Sequence, residues 1–599
     1  MNGSRNNNRN GVPIEEEEGE KRLYTEDGTV DLRGKPVLRS NTGRWKACSF
    51  IVVYEVFERM AYFGISSNLF IYLTTKLRQG TVRSANNVTN WLGTNWITPI
   101  LGAYVGDALL GRYWTFLIAT AIYFSGMSLL TLSVSIHPLK PSSCPDPNGV
   151  HCQKPTTLQI VVFFVALYII ALGNGGTKPN ISTIGADQFD EFDPKEKIQK
   201  LSFFNWWAFS ILFGALFATT VLIYIQDNVG WALGYGIPTI GLAISILIFL
   251  AGTPFYRHKV PMGSSLTTII KVIVASISKW KVEIPTDAKE LYELDPIEYG
   301  EGKHMIDSTN SMRFLNKACV RTSSSKPWLL SSVTQVEETK QILRMIPILI
   351  VTFIPSTMVA QIGTLFIKQG TTLNRHIGAF KIPPASLGLF VTISMLVSLV
   401  VYDRVFVKII RKRTRNPRGI TLLQRMGIGM ILHIIIMVIA SLTERYRIHV
   451  ARKNGLVENG GQVPLSVFII LPQFILMGVA DAFLEVAKLE FFYDQAPESM
   501  KSLGASYSLT SLGAGNFISS LFLTIVSNVT SGNGHEGWIR NNLNASHLDY
   551  YYAFFAILNC INFVLFLVVV RFYVYRAEVS DSMKVLAEEL TVRKTEGGQ

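Results

Sequence analysis

The chain has 599 residues, of which 48% are hydrophobic, 11% aromatic and only 17% charged. A soluble chain of this length would divide into several domains with charged surfaces, and this composition does not supply them. The formal charge of +13 comes from 56 Lys and Arg against 43 Asp and Glu, but these residues lie between apolar runs and form no nucleic-acid-binding stripe. The composition therefore excludes a soluble multidomain protein and a nucleic-acid partner, and it favours a membrane protein.

Apolar windows of about 19 residues predict six helices before a long polar segment and six after it. The first 45 residues are polar and include the acidic run Glu15 to Glu18, so they contain no signal-peptide core and predict a cytosolic amino terminus. The predicted helices are 46–73, 88–108, 113–134, 157–185, 203–224, 231–254, 340–368, 383–402, 421–443, 464–490, 504–528 and 549–574.

The fold class predicted from this pattern is an all-α membrane protein with twelve transmembrane helices, arranged as six plus six. The predicted domains are a cytosolic amino-terminal tail 1–45, a six-helix bundle 46–255, a cytosolic linker 256–339, a second six-helix bundle 340–575 and a cytosolic carboxy-terminal tail 576–599.

Loop chemistry agrees with this topology. The basic segment Arg404 to Arg425 falls on the cytosolic side, as the positive-inside rule requires. Cys144 and Cys152 share one outer loop, which predicts a disulfide between them if that side is oxidising. Three glycosylation sequons, at Asn87, Asn528 and Asn544, also fall on the outer side. A group of cations on the outer side disagrees with the assignment: Arg445, Arg447, Arg452 and Lys453.

Ionisable side chains within the predicted spans are the main candidates for an ion or substrate path, because charge is costly in a bilayer. The first helix places Glu55, Glu58 and Arg59 on one face through spacings of three and four residues. The fourth helix carries Lys178. The tenth helix carries Asp481, Glu485, Lys488 and Glu490.

The depth of these groups can be estimated from the helical rise of about 1.5 Å per residue. Glu55 lies roughly 13 Å from Lys46, Lys178 roughly 13 Å from Asp187, and Asp481 roughly 20 Å from Asp494. Groups from three helices therefore fall near the middle of the membrane, where transporter sites lie. The alternative interpretation is a set of structural ion pairs, and it weighs most for Glu485, Lys488 and Glu490.

Other chemistry is missing from the sequence. Gly173 to Lys178 lacks the spacing of a phosphate-binding loop, the nine histidines form no metal-spaced pair, and no nucleophile with a base can be nominated. We therefore predict that the chain is not an enzyme and needs no metal or other cofactor.

Several motifs resemble the plant nitrate transporter 1/peptide transporter family, which belongs to the proton-dependent oligopeptide transporters of the major facilitator superfamily. The resemblance spans about Asp27 to Ser580 and is closest to the fifth plant subfamily, near a peptide transporter. It is carried by the E-x-x-E-R motif, by Gly102 to Asp107 with Gly111-Arg112, by Gly176 to Asn180, by Asp187 to Asp190, by Phe203 to Trp207, by Ile382 to Ser386 and by Leu489 to Phe492.

The resemblance implies roles for the charged residues. Glu55, Glu58 and Arg59 would couple transport to protons, and Lys178 would bind a substrate anion, as would Arg59. Lys178 would also form a gate with a tenth-helix carboxylate, which here is Asp481 rather than glutamate. From their charge alone, Asp481 or Glu485 would accept a substrate ammonium group. The same resemblance makes Thr115, in Arg112-Tyr113-Trp114-Thr115, a candidate for phosphorylation by a regulatory kinase.

Two departures from the family pattern concern the substrate. Leu212 stands where peptide-transporting relatives carry an asparagine, and Val359 stands where a plant nitrate carrier has a histidine. The function predicted first is a proton-coupled symporter of di- and tripeptides in the plasma membrane, with the vacuolar membrane as the alternative. Nitrate or another anion, including a hormone, is the alternative substrate, and a channel, uniporter or nutrient transceptor is the alternative class.

Overall fold

The structure is a computed structural model that describes residues 24–142, 153–190, 192–260, 263–285, 290–294, 306–322, 327–414, 419–532 and 537–574. Before residue 260 the helices are α1 Arg44–Ser66, α2 Leu69–Thr75, α3 Thr81–Ala108, α4 Arg112–Ser135, α5 Thr157–Ala186, α6 Pro194–Phe217, α7 Ile223–Asn228 and α8 Trp231–Ala251. A π-helical turn, Ala218–Leu222, makes α6 and α7 continuous.

The later helices include one short element in the predicted linker and several broken spans. They are α9 Ser265–Ser278, α10 Val333–Arg344, α11 Ile346–Val351, α12 Phe353–Ser356, α13 Val359–Ile362, α14 Leu365–Thr371, α15 Gly388–Val401, α16 Val407–Thr414, α17 Leu422–Lys453, α18 Leu471–Gln495, α19 Lys501–Thr530 and α20 Leu548–Phe572. Four short strands pair as β1 Leu373–Asn374 with β4 Val463–Ser466 and as β2 His376–Ile377 with β3 Phe380–Lys381.

Nine helical stretches of the described chain have the length and apolar composition of a membrane span, and the bent pair Val333–Val351 and Phe353–Thr371 adds a tenth. Two further long helices, α1 and α3, fall short of this standard. The first contains Glu55, Glu58 and Arg59, and the second is rich in asparagine and threonine. Together these elements of the described chain supply the twelve spans of the predicted all-α fold class.

Local sequence explains where several helices begin. Thr156, Ser332 and Thr421 each accept a hydrogen bond from the backbone N–H three residues later, and a glutamine at that later position bonds back to the cap residue. These capping boxes satisfy N–H groups that have no partner within the helix. At the start of α4, Gly111 adopts a φ of 79°, which favours glycine.

Several predicted helix boundaries were wrong; for example, α3 begins at Thr81 rather than at 88, and α6 begins at Pro194 rather than at 203. The predicted segment 340–368 is broken and bends by 54°, where prolines 347 and 355 interrupt the backbone hydrogen-bond ladder. The helix predicted to end at 443 extends to Lys453 as α17. This extension places Arg447 inside the fold, where its Nη2 lies 2.6 Å from Glu444 Oε1 and both side chains are buried. Pairing with Glu444 explains how this one cation is accommodated in a region assigned to the outer side.

The chain divides into two compact units: Met1–Ile65 with Thr98–Gly263, called unit 1 below, and Ser66–Ile97 with Ser264–Gln599, called unit 2. The predicted bundle limits 46–255 and 340–575 stay a prediction. Within unit 1, the segment before α1 is held to the end of the α8 region, because Val30 forms an antiparallel bridge with His258.

Candidate functional site

Unit 1 contains a buried charge cluster on α1, the acidic-basic cluster, formed by Glu55, Glu58 and Arg59. The Nε atom of Arg59 lies 2.9 Å from Glu55 Oε1 and 2.5 Å from Glu58 Oε2. All three side chains are at most 7% exposed. One guanidinium group thus serves two carboxylates in a water-poor setting, so adding or removing a proton changes the balance of the whole cluster.

Close helix packing closes this cluster off. A Cβ atom on Gly214 of α6 would lie 2.6 Å from the Val56 carbonyl oxygen and 2.8 Å from Arg59 Cβ. Only glycine allows this approach of α6 to α1. Gly214 therefore lets α6 pack closely enough against α1 to bury Arg59.

Lys178 on α5 belongs to the same neighbourhood. Its Nζ atom lies 5.7 Å from the centre of the Tyr62 ring, and the Arg59 guanidinium carbon lies at the same distance from that ring. Lys178 also interacts electrostatically with Glu55 and Glu58. Unit 1 therefore brings together four of the predicted ionisable residues, with two positive and two negative formal charges.

The position of Lys178 depends on a tight crossing of α3 and α5. A Cβ atom on Gly102 would lie 2.0 Å from the Gly175 carbonyl oxygen, so the two backbones are almost in contact. Asn180 fixes the crossing, since its Nδ2 donates to the carbonyl oxygens of Gly102 and Gly176, at 3.3 and 2.8 Å. The Gly176 to Asn180 motif thus fixes the position of Lys178 on α5 through the close packing of α5 against α3.

Two tyrosines near the cluster were missed by the sequence analysis. Tyr62 follows Arg59 by three residues and so shares its helical face, a signal that the spacing could have provided. Tyr123 on α4 is fully buried, and its hydroxyl has no hydrogen-bond partner within the described chain. Nothing in the local sequence around Tyr123 distinguishes it from a packing aromatic.

Unit 2 carries the second group of predicted residues, on α18. Lys488 Nζ lies 2.7 Å from Glu485 Oε2 and donates to Ser356 Oγ at 3.0 Å and to Ser511 Oγ at 3.3 Å. Glu485 therefore has a cationic partner, Lys488, on its own helix. This pairing makes Glu485 a weaker candidate for an ammonium ligand than Asp481.

Asp481 faces a histidine that the sequence analysis did not select. Its Oδ1 atom lies 3.8 Å from Nε2 of His433, which is fully buried on α17. Within the described residues, neither that oxygen nor either ring nitrogen of His433 has a hydrogen-bond partner. The available signal was a lone histidine in the middle of an apolar span, which is costly there without a partner or a function.

A third ion-pair group connects α3, α4 and the end of α5. Arg112 lies 2.9 Å from Asp107 Oδ1 through Nε and 2.6 Å from Asp187 Oδ2 through Nη1. Burial raises the pKa of Asp187, while Arg112 opposes that shift. These residues belong to the predicted motifs, and the structure joins them into one network at a helix end.

The predicted modification sites differ in exposure. Thr115 is only 6% exposed in the first turns of α4, a placement that hides its hydroxyl from a kinase. Asn528 is exposed near the end of α19, whereas Asn87 is half-buried and donates to Gln79 Oε1 at 2.8 Å. The predicted Cys144–Cys152 disulfide lies outside the described residues.

Asn544 is engaged in the fold. Its Oδ1 accepts a hydrogen bond from Arg447 Nη1 at 2.7 Å, and its Nδ2 donates to the carbonyl oxygens of Leu456 and Gly461, both at 2.9 Å. A glycan on Nδ2 would break these bonds in the folded protein. Glycosylation at Asn87 and Asn528 stays a prediction, and the structure argues against Asn544.

Comparison with known proteins gives a consistent set of matches. The family model PTR2, described as POT family, matches residues 113–539. The chain is 67% identical over 576 residues to Protein NRT1/PTR FAMILY 5.2 of Arabidopsis thaliana, covering 96% of this chain and 98% of the relative. It is 65% identical to Protein NRT1/PTR FAMILY 5.3 of the same plant over 569 residues, covering 94% and 97%.

Solved structures agree at the level of the fold. The crystal structure of an auto-inhibited POT family peptide transporter aligns with a TM-score of 0.64 at 18% identity, covering 89% of this chain and 98% of that one. At this identity the likeness concerns the arrangement of helices. It places the described chain in the major facilitator fold.

Proposed function

The chain belongs to the POT family of transporters, and from this premise we propose that it is a proton-coupled symporter that carries small nitrogenous solutes, di- and tripeptides first, by alternating access. The observation that carries the proposal is the buried cluster of Glu55, Glu58 and Arg59 beside Lys178. A buried set of carboxylates and cations within a span is an arrangement suited to proton and anion movement.

Charge balance suggests how a proton and a substrate are linked in unit 1. With all four groups ionised, the two carboxylates and the two cations sum to zero. Binding one proton to Glu55 or Glu58 leaves a net charge of +1, which attracts the carboxylate of a substrate. Substrate binding in turn favours the protonated state, because linkage between two ligands is reciprocal.

Each unit offers chemistry for one end of a peptide. Unit 1 offers Arg59 and Lys178, which suit a carboxylate. Unit 2 offers Asp481, which suits an ammonium group, while Glu485 is held by Lys488. Nitrate needs only the cations, and Val359 provides no hydrogen-bond donor for it. The peptide alternative therefore uses more of the available groups despite Leu212, and Lys178 and Asp481 remain the proposed gating residues.

A substrate panel tests this assignment. In oocytes expressing the full chain, we expect saturable uptake of labelled dipeptides at pH 5.5 and several-fold lower uptake at pH 7.4, since protons drive the cycle. Nitrate and organic anions are measured in the same cells, with water-injected oocytes as the control. Saturable nitrate uptake without dipeptide uptake would reverse the ranking of substrates. Currents that do not depend on the proton gradient would instead indicate a channel or uniporter. Substrate binding without transport would indicate a transceptor.

His433 is included in the proposed mechanism as the neighbour of Asp481. Its ring nitrogen Nε2 lies 3.8 Å from Asp481 Oδ1 and so borders the position that a substrate ammonium group would occupy. Glu485 also lies near His433 but is paired with Lys488. We therefore expect His433→Gln to change the dipeptide KM several-fold at pH 5.5.

The matched control for this variant is His449→Gln, because His449 is an exposed histidine on the same helix. That variant is expected to keep the wild-type KM. An unchanged KM in His433→Gln, with normal surface expression, would remove His433 from the mechanism without affecting the role of unit 1.

The protein is a multi-pass integral membrane protein. We propose that it lies in the plasma membrane, with the vacuolar membrane as the alternative, and a fluorescent fusion in plant cells would separate the two. It is proposed to act as a transporter without enzymatic activity. A regulatory kinase acting on Thr115 would require a conformation in which α4 exposes that residue.

A further inference from the structure

The linker helix α9 has an apolar face on each side. Its inner face consists of Ile269, Val272 and Ala275, each at most 8% exposed. Val272 and Ala275 pack in one cluster with Leu315 of the 3₁₀ helix Arg313–Cys319 and with Val336 of α10. The inner face therefore anchors α9 within unit 2.

The outer face of α9 is also apolar but is exposed. Ile270, Val274 and Ile277 are 54%, 40% and 63% exposed. Their spacing of four and three residues places them in one row along the helix, which we call the outer row. A helix that is apolar on two faces is normally covered on both, so the outer row calls for an apolar neighbour.

The location of α9 indicates what that neighbour is. Ile269 packs in the same apolar cluster as Leu422, at the start of α17, and Phe566, near the end of α20. In addition, Ser265 Oγ donates to the Ser499 carbonyl oxygen at 3.1 Å, between α18 and α19. These contacts fix α9 at the ends of membrane-spanning helices, and hence at the level where the acyl chains meet the headgroups.

Charge and aromatic residues next to the outer row fit the same boundary. The segment 264–285 contains three lysines and one acidic residue, Glu283. Trp280 is 72% exposed, and Lys317 Nζ lies 5.6 Å from the centre of its ring. Tryptophan with flanking lysines is typical of a helix at a membrane surface.

One of the three lysines has a structural role instead. Lys279 donates from Nζ to the carbonyl oxygens of Ala318 and Val320, at 3.1 and 2.8 Å. Burial lowers its pKa. Lys281 is exposed, whereas Lys271 and Lys317 are half-buried, and Lys317 Nζ donates to the Trp280 carbonyl oxygen. An ammonium group has three N–H donors, so these lysines still make this side of the region basic.

We propose that α9 is a membrane-surface helix: its outer row inserts into the leaflet on the linker side, and Lys271, Lys281 and Lys317 bind anionic lipid headgroups. The lipid surface would complete the packing of the linker against unit 2. This role does not depend on which solute the protein carries.

Site-directed spin labelling of the full chain in lipid nanodiscs tests the proposal. Single cysteines replace Ile270, Ile277 and, as the matched exposed control, Glu283, in a chain whose own five cysteines are substituted. Molecular oxygen concentrates in the bilayer, whereas a nickel chelate stays in water. The ratio of their accessibilities to a spin label therefore reports whether the label is inserted in the bilayer. We expect the oxygen-to-nickel accessibility ratio at residues 270 and 277 to exceed that at 283 by about threefold or more, as for inserted residues.

Charge is tested in nanodiscs with and without phosphatidylglycerol. We expect the anionic lipid to increase insertion at Ile277, and the triple variant Lys271→Gln, Lys281→Gln, Lys317→Gln to lose that increase. Equal accessibility at residues 270, 277 and 283 would overturn the proposal. Dipolar broadening between two labelled chains would also overturn it, because that signal indicates a second copy on the outer row. So would a low nickel accessibility at residues 270 and 277 that is lost when residues 575–599 are deleted, because that result indicates the carboxy-terminal tail.

Discussion

Replacing Glu58 by glutamine is expected to abolish proton-driven accumulation of substrate, with at least a tenfold loss of concentrative uptake at pH 5.5. The side chain keeps its size but can no longer carry a proton next to Arg59, from which it lies 2.5 Å. A proton moving through 100 mV contributes about 2.3 kcal/mol of free energy to transport. A transport cycle that no longer moves a proton with the substrate loses this driving force. Uptake of labelled dipeptide at pH 5.5 and 7.4 measures the effect.

The control for this experiment is Glu490→Gln. Glu490 lies on α18, 3.6 Å from Arg425, but its side chain is 36% exposed, so the same chemical change there should leave proton coupling intact. Exchange of internal for external substrate without a gradient is expected to persist in Glu58→Gln, which separates lost coupling from lost folding. Undiminished accumulation by this variant would contradict the coupling role of the cluster.

The second large effect concerns the stability of unit 1. Glu196, in the first turn of α6, lies 2.7 Å from Arg257 Nη1 and 2.6 Å from Arg44 Nε. The Arg257 and Glu196 side chains are at most 1% exposed. We expect Glu196→Ala to reduce the free energy of unfolding by about 3–5 kcal/mol, because it leaves the Arg257 charge buried without its partner.

Chemical unfolding of the purified protein in detergent, followed by tryptophan fluorescence, measures this change. The matched control is Glu26→Ala, because the Glu26 side chain is 54% exposed and lies 3.6 Å from Arg39. An exposed ion pair contributes at most about 1 kcal/mol, so that variant should differ little from wild type. A Glu196→Ala protein as stable as the control would show that the buried pair is dispensable.

Asp190 lies beside this ion pair, since its backbone N–H donates to Glu196 Oε2. Its carboxylate is expected to stay ionised and paired with Arg39 at the pH of the transport assays. Burial raises the pKa of Asp190, but the backbone N–H groups of Glu26 and Phe192 and the Arg39 side chain outweigh it, so the net shift is below the ordinary value of 3.8. The stability from this carboxylate is therefore present above pH 3.8 and is lost as the pH falls through the lower folded-state pKa. Changes in uptake between pH 5.5 and 7.4 cannot come from titration of Asp190.

The charged cluster of α1 shows how far local reasoning reaches. Spacings of three and four residues place Glu55, Glu58 and Arg59 on one helical face, and the structure pairs both carboxylates with Arg59. The family resemblance is likewise confirmed by the match over residues 113–539 and by the high identity to plant relatives. Both results depend on patterns contained within short stretches of sequence.

The second unit shows where that reasoning ends. Glu485 and Asp481 are four residues apart on α18, and the structure pairs Glu485 with Lys488 while Asp481 faces His433. The difference depends on α12, α17 and α19, which supply Ser356, His433 and Ser511. No spacing along α18 encodes the rotation of these neighbouring helices.

The sequence by itself determined the membrane class and the all-α fold, because apolar length is a local property, and it marked the spans that contain charge, which is costly in lipid. Only the tertiary structure decided which charges have partners, that Thr115 and Asn544 are buried, and that the linker contains a helix with an exposed apolar row. These features arise from contacts between residues far apart in the chain. Their physical basis is close packing, in which a glycine such as Gly102 or Gly214 sets how near two helices approach.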